Sequence, residues 1–344
     1  MIRSTLSHRS PARRLAGGAL VAALALTAVG CSAPSEAEPA GSASTGSDTG
    51  SEGAWPRTIQ HELGETVIDA QPEDIVATSV TLAGTLLAID APLTATAATT
   101  PSSITDDKGL FAQWADVADE RGVEVLYDAL ELDLESVIAA DPDLIVISTT
   151  GADATADAYD QLSEIAPTIA INYADKSWQD VAALLGEATG LEDQAAATVT
   201  GYDEQVADAA AAITVPDGDV NAVVYNGTEN DTAFAKVGGA HADVLEALGF
   251  TVAEAPADLD TSETARADFA FLSIENAVAA LTADTVFLVS GDEETAESLL
   301  SEPLFANAPA VAAEAVYPLG QTSFRVDYYS ALEIVDAVVA DFGE

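Results

Sequence analysis

The chain reads as an α/β protein of two Rossmann-like lobes with central parallel-rich sheets, joined by one long interdomain helix. Three observations predict this. The stretch from Leu191 to Ile213 places Leu191, Ala195, Val199, Tyr202, Val206, Ala210 and Ile213 at steps of three and four, the period of one helix face. Both flanks alternate short, continuous apolar runs with helical patterns, as in a parallel sheet covered on both faces. The flanks also repeat each other. LESVIAADPDLIVIS at 134–148 and IENAVAALTADTVFLVS at 274–290 each open a short helix on a Glu. Each then has an Asp eight or nine residues later, an apolar run and a Ser.

At 344 residues and 49% hydrophobic content, the chain is long and apolar enough for two cores. Residues 1–30 are a signal peptide, basic through Arg14 and then apolar and small from Leu15 to Gly30, and they do not belong to the fold. The run Ala28-Val29-Gly30-Cys31 places the single cysteine at a lipoprotein cleavage site, so Cys31 is the expected lipidation residue. Residues 31–54 are Ser, Gly, Pro, Ala and acid without apolar period, a disordered tether of about 25 Å reach. The folded body is therefore expected outside the cytoplasm, lipid-anchored to the outer face of the cell membrane. From Cys31 onward, seven basic residues stand against 58 acidic ones. Such a surface repels nucleic acid and anionic headgroups, which excludes a nucleic-acid partner and leaves the lipid as the only membrane contact. One cysteine permits neither an intrachain disulfide nor a cysteine-based metal cluster.

In the N-terminal lobe, residues 55–190, strands are predicted at 74–78, 93–98, 123–127, 144–148 and 168–171. Helices are predicted at 81–89, within 104–121 (exposing Trp114), and at 134–140, 159–165 and 178–189. Asp141-Pro142 and Pro167 stop two of them, and Gly190 closes the lobe. The connecting helix covers 191–213 and ends before Pro216-Asp217-Gly218. In the C-terminal lobe, residues 214–344, strands are predicted at 221–225, 251–253, 285–290 and 315–319. Helices are predicted at 242–248, 275–281, 296–300 and 328–342. The segment NGTENDTAFAKVGG after the first of these strands reads as a Gly- and Asn-rich loop.

From Trp55 to Phe342 the chain resembles the iron-siderophore substrate-binding proteins of bacterial ABC importers. The resemblance rests on ATSVTLAGTLLAIDAP at 77–92, ADPDLIVIS at 140–148, YDQLSEIAPTIAINYADKSWQ at 159–179, LGEATG at 185–190 and SFRVDYYSA at 323–331. NYADKSW and FRVDYYSA point to the catecholate, enterobactin-type branch. The resemblance implies a receptor that takes a ferric siderophore into the cleft between two α/β lobes and delivers it to an ABC permease. It implies no enzyme, no cofactor and a monomer. A hydroxamate siderophore, haem or cobalamin are the alternative ligands for the same fold, and a surface-anchored enzyme or adhesin is the alternative of another class. No Gly-x-Ser-x-Gly, phosphate loop, His-Glu-x-x-His or Cys/His pair is present to favour an enzyme. His61 and His241 lie far apart in sequence and read as surface residues.

A tris-catecholate satisfies its own iron, so a receptor supplies cations and aromatic faces and no metal ligand. Arg325, in FRVDYYS, is the first candidate. Lys236 with Phe234 comes next, with Tyr225 at the end of the strand before them. Ser79 and Thr81, and Thr149 and Thr150, follow strands at their C-terminal ends, where open α/β sheets place ligands. The loop at 99–107 is shorter than in the enterobactin-type branch and lacks an Arg found nearby there, which favours a less anionic siderophore. Glu135 and Glu275, one in each repeat, match the family positions whose carboxylates dock on permease arginines.

Overall fold

The computed structural model describes residues 54–262 and 266–343. The signal peptide, Cys31 and the tether lie outside the described residues. A hairpin of β1 (Arg57–His61) and β2 (Gly64–Ile68) opens the body. Then follow β3 (Ile75–Ala77), α1 (Val80–Ala88), β4 (Leu93–Thr96), α2 (Ala112–Arg121), β5 (Glu124–Val125), α3 (Leu134–Ala139) and β6 (Leu144–Ser148). The first lobe ends with α4 (Tyr159–Ser163), β7 (Thr168–Ile171) and α5 (Trp178–Thr189). Its sheet, ordered β5-β4-β3-β6-β7, is parallel throughout. All five residues of β6 are buried, as a central strand covered on both faces requires.

α6 (Glu192–Ala212) is the long connecting helix, 21 residues and so about 32 Å. It buries Ala195, Tyr202 and Val206 of the predicted face, and Ala209 in place of Ala210, which is half-buried. α5 folds back against α6 after Gly190, which takes the left-handed conformation at φ 72°. A side chain on Gly186 would come within 2.9 Å of Ala195 Cβ, so the two helices pack closely there.

The second lobe comprises β8 (Val220–Val224), β9 (Thr232–Ala235), α7 (Ala240–Ala247), β10 (Phe269–Leu272), α8 (Ile274–Ala280) and β11 (Thr285–Leu288). It closes with α9 (Glu293–Ser301), α10 (Pro309–Ala312), β12 (Val316–Pro318) and α11 (Tyr328–Phe342). The sheet order is β10-β9-β8-β11-β12, with β9 antiparallel to both neighbours and β8, β11 and β12 parallel. The segment read as a Gly- and Asn-rich loop thus contains a strand. In TAFA both faces are buried between β8 and β10, so the apolar run is short and flanked by Gly and Asn, which hid it.

The two sheets share a core. One cluster of buried side chains runs from Leu86 through Tyr202 and Val206 to Val224, Phe287 and Ile334. α11 returns from the second lobe to pack on α1, α2, α6 and α7. Its entry corrects the expectation that Trp114 is exposed: the indole is 1% exposed. α2 lies against α1 and α11, and Gly84 makes room for it. A Cβ at Gly84 would stand 2.7 Å from Asp327 Oδ2 and 2.8 Å from Trp114 Cδ1.

In an open helix interior Gly→Ala stabilises by about 1 kcal/mol. Here overpacking reverses the sign, and Gly84→Ala should lower stability by about 1–3 kcal/mol in urea unfolding. Stability equal to wild type would show that Trp114 and α11 can draw back.

Candidate interlobe binding site

β3, β6 and β7 are neighbours in the first sheet, and the chain leaves each at the same edge. Asp153, itself buried, ties the three exits together. Its carboxylate accepts from Ser79 Oγ at 2.6 Å, the Thr81 backbone N–H at 3.0 Å and the Tyr173 hydroxyl at 2.8 Å. Gly151, at φ 82°, lies so close under Tyr173 that an added Cβ would overlap the phenol oxygen. Burial, then the Asp153 charge, push the Tyr173 hydroxyl well above its ordinary pKa, and it stays protonated as a donor. The Thr81 hydroxyl is buried beside this phenol with no hydrogen bond of good geometry to the described residues. Thr149 and Thr150 are half-buried at the end of β6, with their backbone N–H groups bound by Ile171 O and Ser148 Oγ.

The second lobe faces this edge with the 3-10 turn Gln321–Phe324 and Arg325. Ser323 is the buried peg of the turn. Its Oγ accepts from the Ser290 N–H at 2.8 Å and donates to Gly320 O at 2.8 Å, while its carbonyl lies 2.7 Å from His241 Nε2. Phe324 stacks on Phe269 at 5.7 Å. Arg325 then reaches across the lobes, its guanidinium carbon 4.8 Å from the Phe111 ring centre. Ile104, Phe111 and Gln113 of the first lobe and Gln321, Thr322, Phe324 and Arg325 line one interlobe pocket.

Charge is sparse there. Six of the seven basic side chains are paired with carboxylates. Arg325 alone has no carboxylate within 4.0 Å among the described residues; Asp327, two positions on, instead caps α11. Arg266 makes two bonds to Asp268, at 2.8 and 2.6 Å, and its guanidinium lies 5.7 Å from the Phe271 ring centre. Both Arg325 and Arg266 are within electrostatic reach of Tyr173 in the other lobe. Three groups thus converge across the cleft, a protonated phenol and two guanidiniums, with Phe111 and Phe271 beneath the cations.

Of the residues singled out by sequence, Thr81, Thr149, Thr150 and Arg325 fall at this cleft. Four others are placed differently. Phe234 is 0% exposed and packs in the second lobe's core, because β9 turns that side of the strand inward. Tyr225 is also buried, edge-on to Phe305 at 5.8 Å, in the same core. Ser79 is buried and committed to Asp153. Lys236 is bound to Asp260 Oδ2 at 3.1 Å and Arg266 O at 3.0 Å, so it ties down the segment ahead of β10. Asp153, Tyr173, Phe111, Arg266 and Phe271 were missed. Tyr173 follows β7 as Thr149 follows β6, and that rule of strand ends could have found it.

The histidines are not surface residues either. His61 is half-buried against Thr66 and Tyr159. His241 is buried, and burial lowers its pKa from 6.5 to about 4.

The chain belongs to the periplasmic binding protein family, whose match covers residues 75–322. Among relatives, it is 45% identical over 291 residues to the ferric enterobactin-binding periplasmic protein FepB of Escherichia coli O6:H1, covering 84% of this chain and 91% of that protein. Among solved structures, it resembles holo-ViuP with a TM-score of 0.78 and 39% identity, over 85% of this chain and 96% of that one. Staphylococcus aureus SirA complexed with staphyloferrin B has the same fold at 22% identity and a TM-score of 0.65, over 83% of this chain and 97% of that one.

Unfolding frees His241 to protonate at its ordinary value of 6.5, so between about pH 4 and 6.5 the unfolded chain binds more protons than the folded one. Its contribution to stability is complete above pH 6.5 and is lost as pH falls toward 4. The urea midpoint of wild type should therefore fall more steeply over that window than that of His241→Gln. Parallel slopes would show that the ring protonates in place.

Proposed function

We propose that this protein is an extracytoplasmic receptor, held to the membrane through lipidated Cys31, that captures a catecholate ferric siderophore in the interlobe cleft. It then delivers the complex to an ABC permease for iron import. The observation behind this reading is the convergence on one cleft of Arg325, free of any carboxylate among the described residues, with Arg266 and the Tyr173 hydroxyl. The likeness to a ferric enterobactin-binding protein supports the ligand class.

In this reading the iron is cargo, wrapped by the siderophore's own oxygens. The cleft contributes what such a complex lacks. Arg325 meets its negative charge, and the Tyr173 phenol donates a hydrogen bond to a catecholate oxygen. Phe111 shields one face of the Arg325 guanidinium from water, which strengthens its interaction with an anion. Arg266 is partly neutralised by Asp268, and Asp153 lies below the floor. The cation count therefore also favours a second reading, a ferric complex less anionic than a tris-catecholate.

Arg325→Ala should weaken binding of ferric enterobactin by about tenfold or more, a loss of about 1.4 kcal/mol, with the melting temperature shifted little. Tryptophan fluorescence and calorimetry read the affinity. Unchanged affinity would remove Arg325 from the site, and tighter binding of a neutral ferric hydroxamate by wild type would favour the second reading.

Glu135 and Glu275 are exposed, each on the first turn of a short helix and one in each lobe. Neither side chain has a partner among the described residues, which leaves both carboxylates available to permease cations. Glu135→Ala combined with Glu275→Ala should leave siderophore affinity intact and abolish uptake; normal uptake would refute the docking role.

A further inference from the structure

The internal repeat extends to the surface. Over six positions, Leu134–Ala139 in α3 and Ile274–Ala279 in α8 show the same sequence of burial, with the fourth residue buried and the second, fifth and sixth exposed. The fourth residues, Val137 and Ala277, anchor each helix to its own lobe. The exposed ones are Glu135, Ile138 and Ala139 on one helix and Glu275, Val278 and Ala279 on the other. Residues three and four apart share a helix face, so each Glu stands beside a bare aliphatic side chain. Ile138 is 58% and Val278 36% exposed, in a short set of exposed large apolar residues. Each helix is fixed by a local cap that leaves its Glu carboxylate free. Asp133 accepts from the Glu135 N–H and Ser273 from the Asn276 N–H.

We infer that the docking surface is bipartite at each lobe: a carboxylate and an adjacent aliphatic knob, repeated once, engaging a permease with two-fold symmetry or pseudo-symmetry. This rests on the docking role proposed for Glu135 and Glu275 and adds Ile138 and Val278 to it. The partner must offer, at two related places, a cation with an apolar seat beside it. A second copy of this chain does not meet that requirement, since its surface at formal charge −47 would set carboxylate against carboxylate. An anionic lipid surface is repelled for the same reason. The aliphatic group gives the contact what exposed charge alone lacks. A rim ion pair mainly steers encounter and is screened by salt, whereas buried apolar area slows dissociation.

The test uses the full-length lipoprotein, expressed in the native cell deleted for the chromosomal copy, with radio-iron supplied as ferric enterobactin. Ile138→Ser with Val278→Ser should reduce uptake about tenfold or more, while melting temperature and siderophore affinity stay at wild-type values. Each single change should give an intermediate loss. Leu304→Ser, at an exposed apolar position outside the repeat, should leave uptake unchanged. If the Ile138/Val278 double variant transports normally while Glu135→Ala with Glu275→Ala does not, docking is by charge alone and the bipartite surface is wrong. If both double variants transport normally, the docking role fails as well. A wild-type dimer in sedimentation that Ile138→Ser dissociates would assign the knobs to self-association and overturn the proposal.

Discussion

The cleft depends on one buried carboxylate, Asp327. It caps α11, accepting from the Tyr329 and Ser330 N–H groups at 2.9 Å each, and from Gln113 Nε2 of the first lobe at 3.2 Å. Burial pushes its pKa up to about 6, and the hydrogen bonds from Ser330, Gln113 and Tyr329 pull the other way, so each of these donors favours the charged carboxylate. Gly84 and Trp114 wall it in. Because Arg325 lies two residues upstream, and its carbonyl accepts from Ser330 Oγ at 2.6 Å, the same cap fixes the backbone from which the guanidinium projects. The backbone is pinned and the side chain is left free. The interlobe contact and the candidate binding cation are thus parts of one local structure.

Electrostatics on so acidic a chain act at two ranges. At long range the body repels an anionic ligand. At short range a single unpaired guanidinium, backed by Phe111 on one side, dominates the potential in its pocket. Salt separates the two, since the Debye length is about 8 Å at physiological ionic strength and shorter above it. Added salt therefore weakens the body's repulsion more than it weakens the contact at Arg325. A sparse, well-placed cation serves better here than a broad basic patch, which the other carboxylates would neutralise.

Much of the framework was legible because its elements are long or strongly patterned. α5, β6, β7 and α11 have the bounds expected from sequence, and α6 lies within one residue of its predicted span at each end. Legibility failed where tertiary contacts decide. β9 and β10 are four-residue strands that pair with each other across a long stretch of sequence, and without that pairing Phe234 looked like a loop aromatic open to a ligand. The strand predicted at 251–253 survives only as a single bridge between Val220 and Val252. Trp114 sits on a helix whose mean composition is polar, and packing against α1 and the returning α11 buries it. His241 was taken for a surface residue because nothing in its local sequence shows that Ser323 and Phe269 enclose it. Arg325 was singled out from a local motif, whereas its freedom from carboxylates among the described residues is a property of three dimensions.

A core that runs through both lobes has a mechanical consequence. α6 spans the lobes along one path and α11 along another, and both contribute to the same buried cluster. Interiors at crystal-like packing density resist rotation of one half against the other, because movement opens voids on one side and overlaps on the other. The cleft is accordingly close to its binding shape before a ligand arrives, and little ordering entropy is lost on capture. The same stiffness fixes the separation of Glu135 and Glu275, each set on a helix anchored to its own lobe. A permease reading those two points would find nearly the same spacing with or without cargo. Discrimination between loaded and empty receptor must then come from the ligand in the cleft between the tips, or from small shifts of side chains such as Arg325 at its rim.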